Sequence, residues 1–247
     1  MTTTGKATTG RKQSRWYAFY GTDLAKKYAM AISGILGLLF VFFHMVGNLH
    51  AFEGNDPATG EPKINEYGEA LRDIGEPLAP RSLILWLFLR LPLIIALVVH
   101  VWAAYSLTRT SLKARGDEKY DERHYIAVDY ASRTMRWGGV IILAFLAWHL
   151  ADLTWGVEFV NPDFVRGDIA GNLDATFSRW PVVVFYVIAM GALGLHIWHG
   201  GWSLFQTLGI NNPTFNKWRN YFAYIFATVV AVGFVTVPLA VAFGIIG

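Results

Sequence analysis

The sequence predicts an all-α integral membrane protein: a five-transmembrane-helix bundle with its N-terminus cytoplasmic and its C-terminus outside. Three observations carry that expectation. The 247 residues are 54% hydrophobic and only 16% charged, too apolar for an ordinary soluble domain of this size. Five runs come near the roughly 20 apolar residues that a hydrocarbon core of about 30 Å requires. Lysine and arginine gather in alternate segments between those runs, the asymmetry that orients membrane proteins.

Residues 1–27 are polar and basic, without the short apolar core or small-residue cleavage site of a secretory signal, and read as a cytoplasmic tail. The membrane domain, 28–247, then opens with the first span, Tyr28 to Gly47. The others run from Ser82 to Tyr105, Trp137 to Leu153, Trp180 to Phe205 and Tyr221 to Ile246. Stretches such as Glu53 to Pro62 and Asn211 to Pro213 are rich in Gly, Pro, Asn and Asp and punctuate the helices. Of the 21 Lys and Arg, 15 lie in the tail, the second-to-third loop and the fourth-to-fifth loop. The positive-inside rule puts those segments in the cytoplasm. Trp137, Trp155, Trp180, Trp202 and Tyr221 near span ends fit aromatic belts.

The basic residues flank apolar runs, which argues for membrane orientation and against nucleic acid as a partner. There is no cysteine. Disulfides, thiolate metal sites, iron–sulfur ligation within this chain and c-type haem attachment are therefore excluded. A redox centre here must be held non-covalently by histidine.

Seven histidines are present. His124 falls in a charged loop and His50 just beyond the first span, so neither is informative. His44, His100, His149, His196 and His199 lie within spans, where an ionisable group is rare and faces the bundle interior. Depth sorts them. At 1.5 Å per residue, His44 stands roughly 24 Å and His149 roughly 18 Å from the inner edge, His100 roughly 8 Å and His196 roughly 13 Å. One histidine from each of two helices at a shared level suits the two axial imidazoles of a haem iron. The pattern occurs twice and predicts two stacked haems.

Small residues fit a flat ligand: Ser33 and Gly37 share the His44 face, and Gly138 lies 11 residues before His149. Asp152, one turn after His149, is placed to accept a hydrogen bond from that ring or else marks the helix end. Arg90 in the second span either pairs with a haem propionate or snorkels to the outer surface. His199 is an alternative to His196 on nearly the same face, with the deeper His196 preferred. Each histidine also has a plain reading as an interhelical hydrogen-bonding residue. Gly191, Gly194, Gly200 and Gly201 read as close helix packing, and Pro238 as a kink.

The chain resembles the five-helix, two-haem cytochrome b subunits of bacterial succinate dehydrogenases and fumarate reductases. The likeness covers nearly its whole length. It is carried by Ser33-Gly34 with Phe43-His44-Met45-Val46-Gly47-Asn48, by Tyr67-Gly68-Glu69-Ala70-Leu71-Arg72, by His149-Leu150-Ala151-Asp152-Leu153, by Phe177-Ser178-Arg179-Trp180-Pro181 and by His196-Ile197-Trp198-His199-Gly200. The resemblance implies two b-type haems, held by His100 with His196 near the cytoplasm and by His44 with His149 near the outside. It implies a cytoplasmic face docked to an iron–sulfur subunit, itself bound to a flavoprotein subunit that oxidises succinate. Electrons would pass through the inner and outer haems to a quinone, menaquinone in most relatives of this type, in a multi-pass complex of the bacterial cell membrane, with a higher oligomer of that complex left open. Glu66, Glu69 and Glu76 of the first outer loop stand as proton carriers on that implication, or as a solvated loop face. The family often has Asn where His199 stands.

Two other readings compete. A cytochrome b anchor of a membrane hydrogenase or formate dehydrogenase would use similar haems with a different donor, and the Trp180-Pro181 entry and first-span pattern argue for succinate dehydrogenase instead. A transporter or haem-free anchor with a histidine proton relay would need broken helices and a polar midplane, which only Arg90 approaches.

Overall fold

The computed structural model describes residues 22–115, 126–210 and 212–247, with the side chains of 115 and 126–134 left aside. The tail, apart from residues 22–27, and His124 lie outside the described residues. The described chain is helical, and five of its helices are long and apolar enough to cross a membrane. No more than 28% of the apolar window of any span is buried within the protein. That outward display of Leu, Ile, Val, Phe and Trp needs an apolar surrounding.

Among the described residues seven helices follow in order, besides a single 3-10 turn at His50–Phe52. Helix α1 is Asp23–Leu49, capped by the Thr22 hydroxyl accepting from the Ala25 amide. Helix α2, Lys63–Asp73, is a short amphipathic segment in the first loop. Helix α3 begins at Leu83–Leu85, widens into a π turn at Trp86–Arg90 and continues as Leu91–Arg115. Helix α4, Ile126–Leu150, likewise ends in a π turn, Ala151–Trp155, closed by Gly156 at φ 60°. Helix α5 is Ile169–Phe177, capped by Asp168. Helix α6 is Trp180–Thr207, with Pro181 in its first turn, and α7 is Pro213–Ala242, capped by Asn212.

The spans extend beyond their apolar runs. Helix α7 starts eight residues before the expected Tyr221, because Asn212 accepts from the Phe215 amide at 2.8 Å and Pro213 sits at the first helical position. It ends at Ala242, short of Ile246, where the chain turns at Gly244 with φ 67°. Helix α3 outruns Tyr105 by ten residues and α4 starts well before Trp137. Hydropathy marks where the bilayer begins, whereas a helix continues until a residue stops it.

The spans form an arc in which α3 packs on α1, α1 on α7, α7 on α6 and α6 on α4, with α1 also touching α6. The α6–α7 seam is made by small residues. A Cβ on Gly194 would stand 3.1 Å from Ala231 Cβ, and one on Gly201 3.4 Å from Ala223 Cβ. Gly191 and Gly200 meet nothing, so only two of the four glycines serve close packing. Pro238 is buried within α7.

The loop helices α2 and α5 interlock at one end of the bundle. Asn65 accepts from the amides of Ile169 and Ala170 at 2.7 and 3.0 Å and donates to Asp168 at 3.1 Å, so a residue of α2 caps α5. Glu69 pairs with Arg72 and Arg81, and Glu66 accepts from the Thr59 hydroxyl at 2.9 Å.

Candidate functional site

Four histidines within the spans meet in two couples. The rings of His44 on α1 and His149 on α4 have centroids 5.9 Å apart, crossed at 78°. Those of His100 on α3 and His196 on α6 lie 6.2 Å apart at 60°. Yet α1 does not pack extensively on α4, nor α3 on α6. Each couple therefore faces across a gap.

Two separate helices give the spacing between the couples. Ser33, which touches His100, precedes His44 by 11 residues on α1, and Tyr186, which touches His149, precedes His196 by ten on α6. At 1.5 Å per residue both give roughly 15 to 17 Å. The two levels divide the thickness of a bilayer, with the His100–His196 couple nearer the end where α1 begins.

Local hydrogen bonds fix the tautomer on one member of each couple. The Ser33 hydroxyl has a single proton, which it gives to the backbone oxygens of Ala29 at 2.7 Å and Met30 at 3.1 Å. Its oxygen then accepts from His100 Nδ1 at 3.2 Å, which leaves Nε2 as the lone-pair nitrogen. His149 Nδ1 lies 3.2 Å from the Tyr186 hydroxyl, whose proton points to Asp152 Oδ2 at 3.5 Å. Nε2 of His149 is left free in the same way. Phe40 and Phe234 flank His44, and Phe145 stacks on His149.

Among the described residues no hydrogen bond joins the two rings of either couple, and His196 Nδ1 is buried without a partner. The plain reading as interhelical hydrogen-bonding residues holds for His100, bonded to Ser33 of α1, and for His149, bonded to Tyr186 of α6, but neither couple is joined ring to ring. Two imidazoles that share one metal, each nitrogen about 2 Å from it, have centroids roughly 6 Å apart. Both couples match that spacing. Among the described residues no group of three or more His, Asp or Glu could hold a metal ion. An ion between these rings would need its other ligands from a macrocycle, and the donor set suits haem. Gly37, half-buried between the two levels, has no atom within 4 Å of where a Cβ would stand, and Gly34 and Gly139 present their Cβ positions to His100 and His196 at 3.6 and 3.9 Å. Gly138, the small residue singled out from sequence, instead approaches the Ala192 carbonyl at 3.9 Å.

His199 does not meet His100. Its aromatic neighbour is Trp202, with centroids 6.1 Å apart. Arg90 lies in the π turn of α3, exposed, its guanidinium 5.1 Å from the Trp86 ring. Trp202 is half-buried and lies 4.8 Å beneath the guanidinium of Arg219, which is 4% exposed with Nε and Nη1 unbonded. Trp137, Trp155, Trp180 and Tyr221 are exposed, as belts require.

Asp152 departs from its expected role. The π turn carries its side chain off the His149 face, and it reaches that ring only through Tyr186. It is 0% exposed and is held by Arg179 at 3.0 Å and by the Thr176 hydroxyl at 3.1 Å. Arg179 also donates to the carbonyls of Ala175 and Val160. Tyr186, Thr176 and Arg179 were not legible as site residues, because only the fold brings α5 and the start of α6 against the π turn of α4.

No protein-family model, curated protein or solved structure matches this chain.

Proposed function

We propose that this chain is the membrane-anchoring, di-haem cytochrome b subunit of a succinate:quinone oxidoreductase. One observation carries the haem part of the reading: four imidazoles face in two couples at the spacing of a shared metal, and the two helices of each couple do not pack extensively on each other. Haem, when bound, supplies one-electron redox chemistry. The chain's own residues do the rest. His44 with His149, and His100 with His196, supply the axial nitrogens, and Ser33 and Tyr186 hold one ring of each couple in the ligating tautomer.

The complex to which the subunit belongs rests on the resemblance in sequence to this cytochrome b family. On that reading the Lys- and Arg-rich side faces the cytoplasm, and the iron–sulfur and flavoprotein subunits dock there, where Lys217, Trp218 and Tyr221 line an open cleft. The quinone, menaquinone on the family pattern, is reduced near the opposite face, beside the His44–His149 couple, in the bacterial cell membrane. Arg90 lies about ten residues, roughly 15 Å, from His100 along α3, the level at which a propionate of the outer haem would be met.

The test is a reduced-minus-oxidised spectrum with a haem count on the purified chain, followed by His100→Ala and His149→Ala. Two b-type signals, each removed by one variant alone, are expected. Absence of b-type haem from the wild-type chain would end the proposal, and co-purification with an iron–sulfur and a flavin subunit separates it from a hydrogenase or formate dehydrogenase anchor.

A further inference from the structure

Beyond the four ligands, the end of the bundle away from the start of α1 holds a buried polar chain that no haem ligation requires. It runs from Arg179 at the start of α6, through Asp152 in the π turn of α4, to Tyr186 and then His149. Thr176 from α5 donates to the same Asp152 oxygen that Arg179 holds, and Asn161 donates to Thr176 at 3.3 Å. Residues of α5 and the first turns of α6 thus converge on one α4 carboxylate that is 0% exposed. A buried carboxylate is costly to maintain, and here its second oxygen is turned to the tyrosine that touches the histidine.

We propose that Tyr186 and Asp152 are positioning residues that lower the reduction potential of the outer haem by making the His149 imidazole more electron-rich. The inference rests on the di-haem reading and deepens it. His149 donates its Nδ1–H to the tyrosine oxygen, while the tyrosine proton is drawn towards the Asp152 charge. In a site shielded from water the carboxylate polarises the hydroxyl, and the hydroxyl oxygen becomes the better acceptor. An imidazole whose N–H is held by a strong acceptor is a more basic ligand through its other nitrogen, which favours the oxidised iron. Arg179, at 3.0 Å from the other Asp152 oxygen, offsets part of that charge and sets its strength. At the opposite level the groups behind His100 are neutral, the Ser33 hydroxyl and the Met30 carbonyl.

The experiment is a spectroelectrochemical titration of the purified full-length chain, resolving the two haems. Tyr186→Phe keeps the ring, which packs edge-on against Phe145 and Phe177, and removes only the acceptor. It is expected to shift the one-electron equilibrium of the outer haem about tenfold towards the reduced form, about 59 mV upward, with the inner haem unmoved. Asp152→Asn shifts the outer haem the same way. Arg179→Gln, which leaves the carboxylate less compensated, shifts it downward. Opposite signs from residues of one chain of contacts are not produced by a loosened fold, and an intact inner-haem signal reports that each variant has folded. Two haem signals in the wild type with no shift, or a downward shift, in Tyr186→Phe overturn this inference and leave the di-haem reading standing. Absence of haem from the wild type overturns both.

Discussion

The Ser33 hydroxyl and His100 Nδ1 stand 3.2 Å apart, joining α1 to α3 at the level of the first histidine couple. Ser33 also bonds back to its own helix, so its oxygen is fixed in place as an acceptor. Ser33→Ala removes the group that holds the His100 ring and its tautomer. On the di-haem proposal, haem affinity at the His100–His196 level is expected to fall about 10- to 100-fold, with the other level retained. A haem titration followed by the difference spectrum checks it.

The Asp152–Arg179 pair is asymmetric, the carboxylate being fully buried and the guanidinium one-third exposed. Arg179→Ala strands a buried charge and is expected to cost about 3–5 kcal/mol. Asp152→Ala leaves an arginine that water still reaches and that keeps its bonds to Ala175 and Val160, so it should cost less. Thermal unfolding in detergent of both variants gives the order, and the reverse order would contradict this account.

Gly194 and Gly191 are three residues apart on α6 but face different surroundings. A side chain at Gly194 collides with Ala231 of α7, whereas Gly191 opens on space. Gly194→Leu is expected to destabilise by about 1–3 kcal/mol through the separated helices, and Gly191→Leu to be neutral or slightly stabilising. The same unfolding measurement distinguishes them.

Asp56 lies in the first loop, where the Ala58 amide, foremost, and then the Lys63 ammonium hold its carboxyl below the usual carboxylate range. A depressed folded value means the stabilisation is present above about pH 3.9, the unfolded value, and is lost as pH falls through the folded one. Amide protection factors at Ala58 and Thr59, rates corrected for intrinsic exchange, should fall over that acid window and be level above it. Asp56→Asn should remove the dependence.

The apolar runs determined five helices, because a hydrocarbon surrounding leaves the backbone no other way to satisfy its hydrogen bonds. The same periodic distances placed His44, His100, His149 and His196 at two levels, since depth follows from residue count alone. Rotation about each helix axis does not. That His196 and not His199 faces His100 depends on how α6 seats against α7 through Gly194 and Gly201, a contact between residues far apart in sequence. Asp152 is the sharpest case: a regular helix would set it beside His149, and the π turn sends it to Arg179, Thr176 and Tyr186 instead. Which groups stand behind each histidine was decided by packing, because hydrogen bonds of about 3 Å are far more sensitive to helix rotation and local winding than is depth in a membrane.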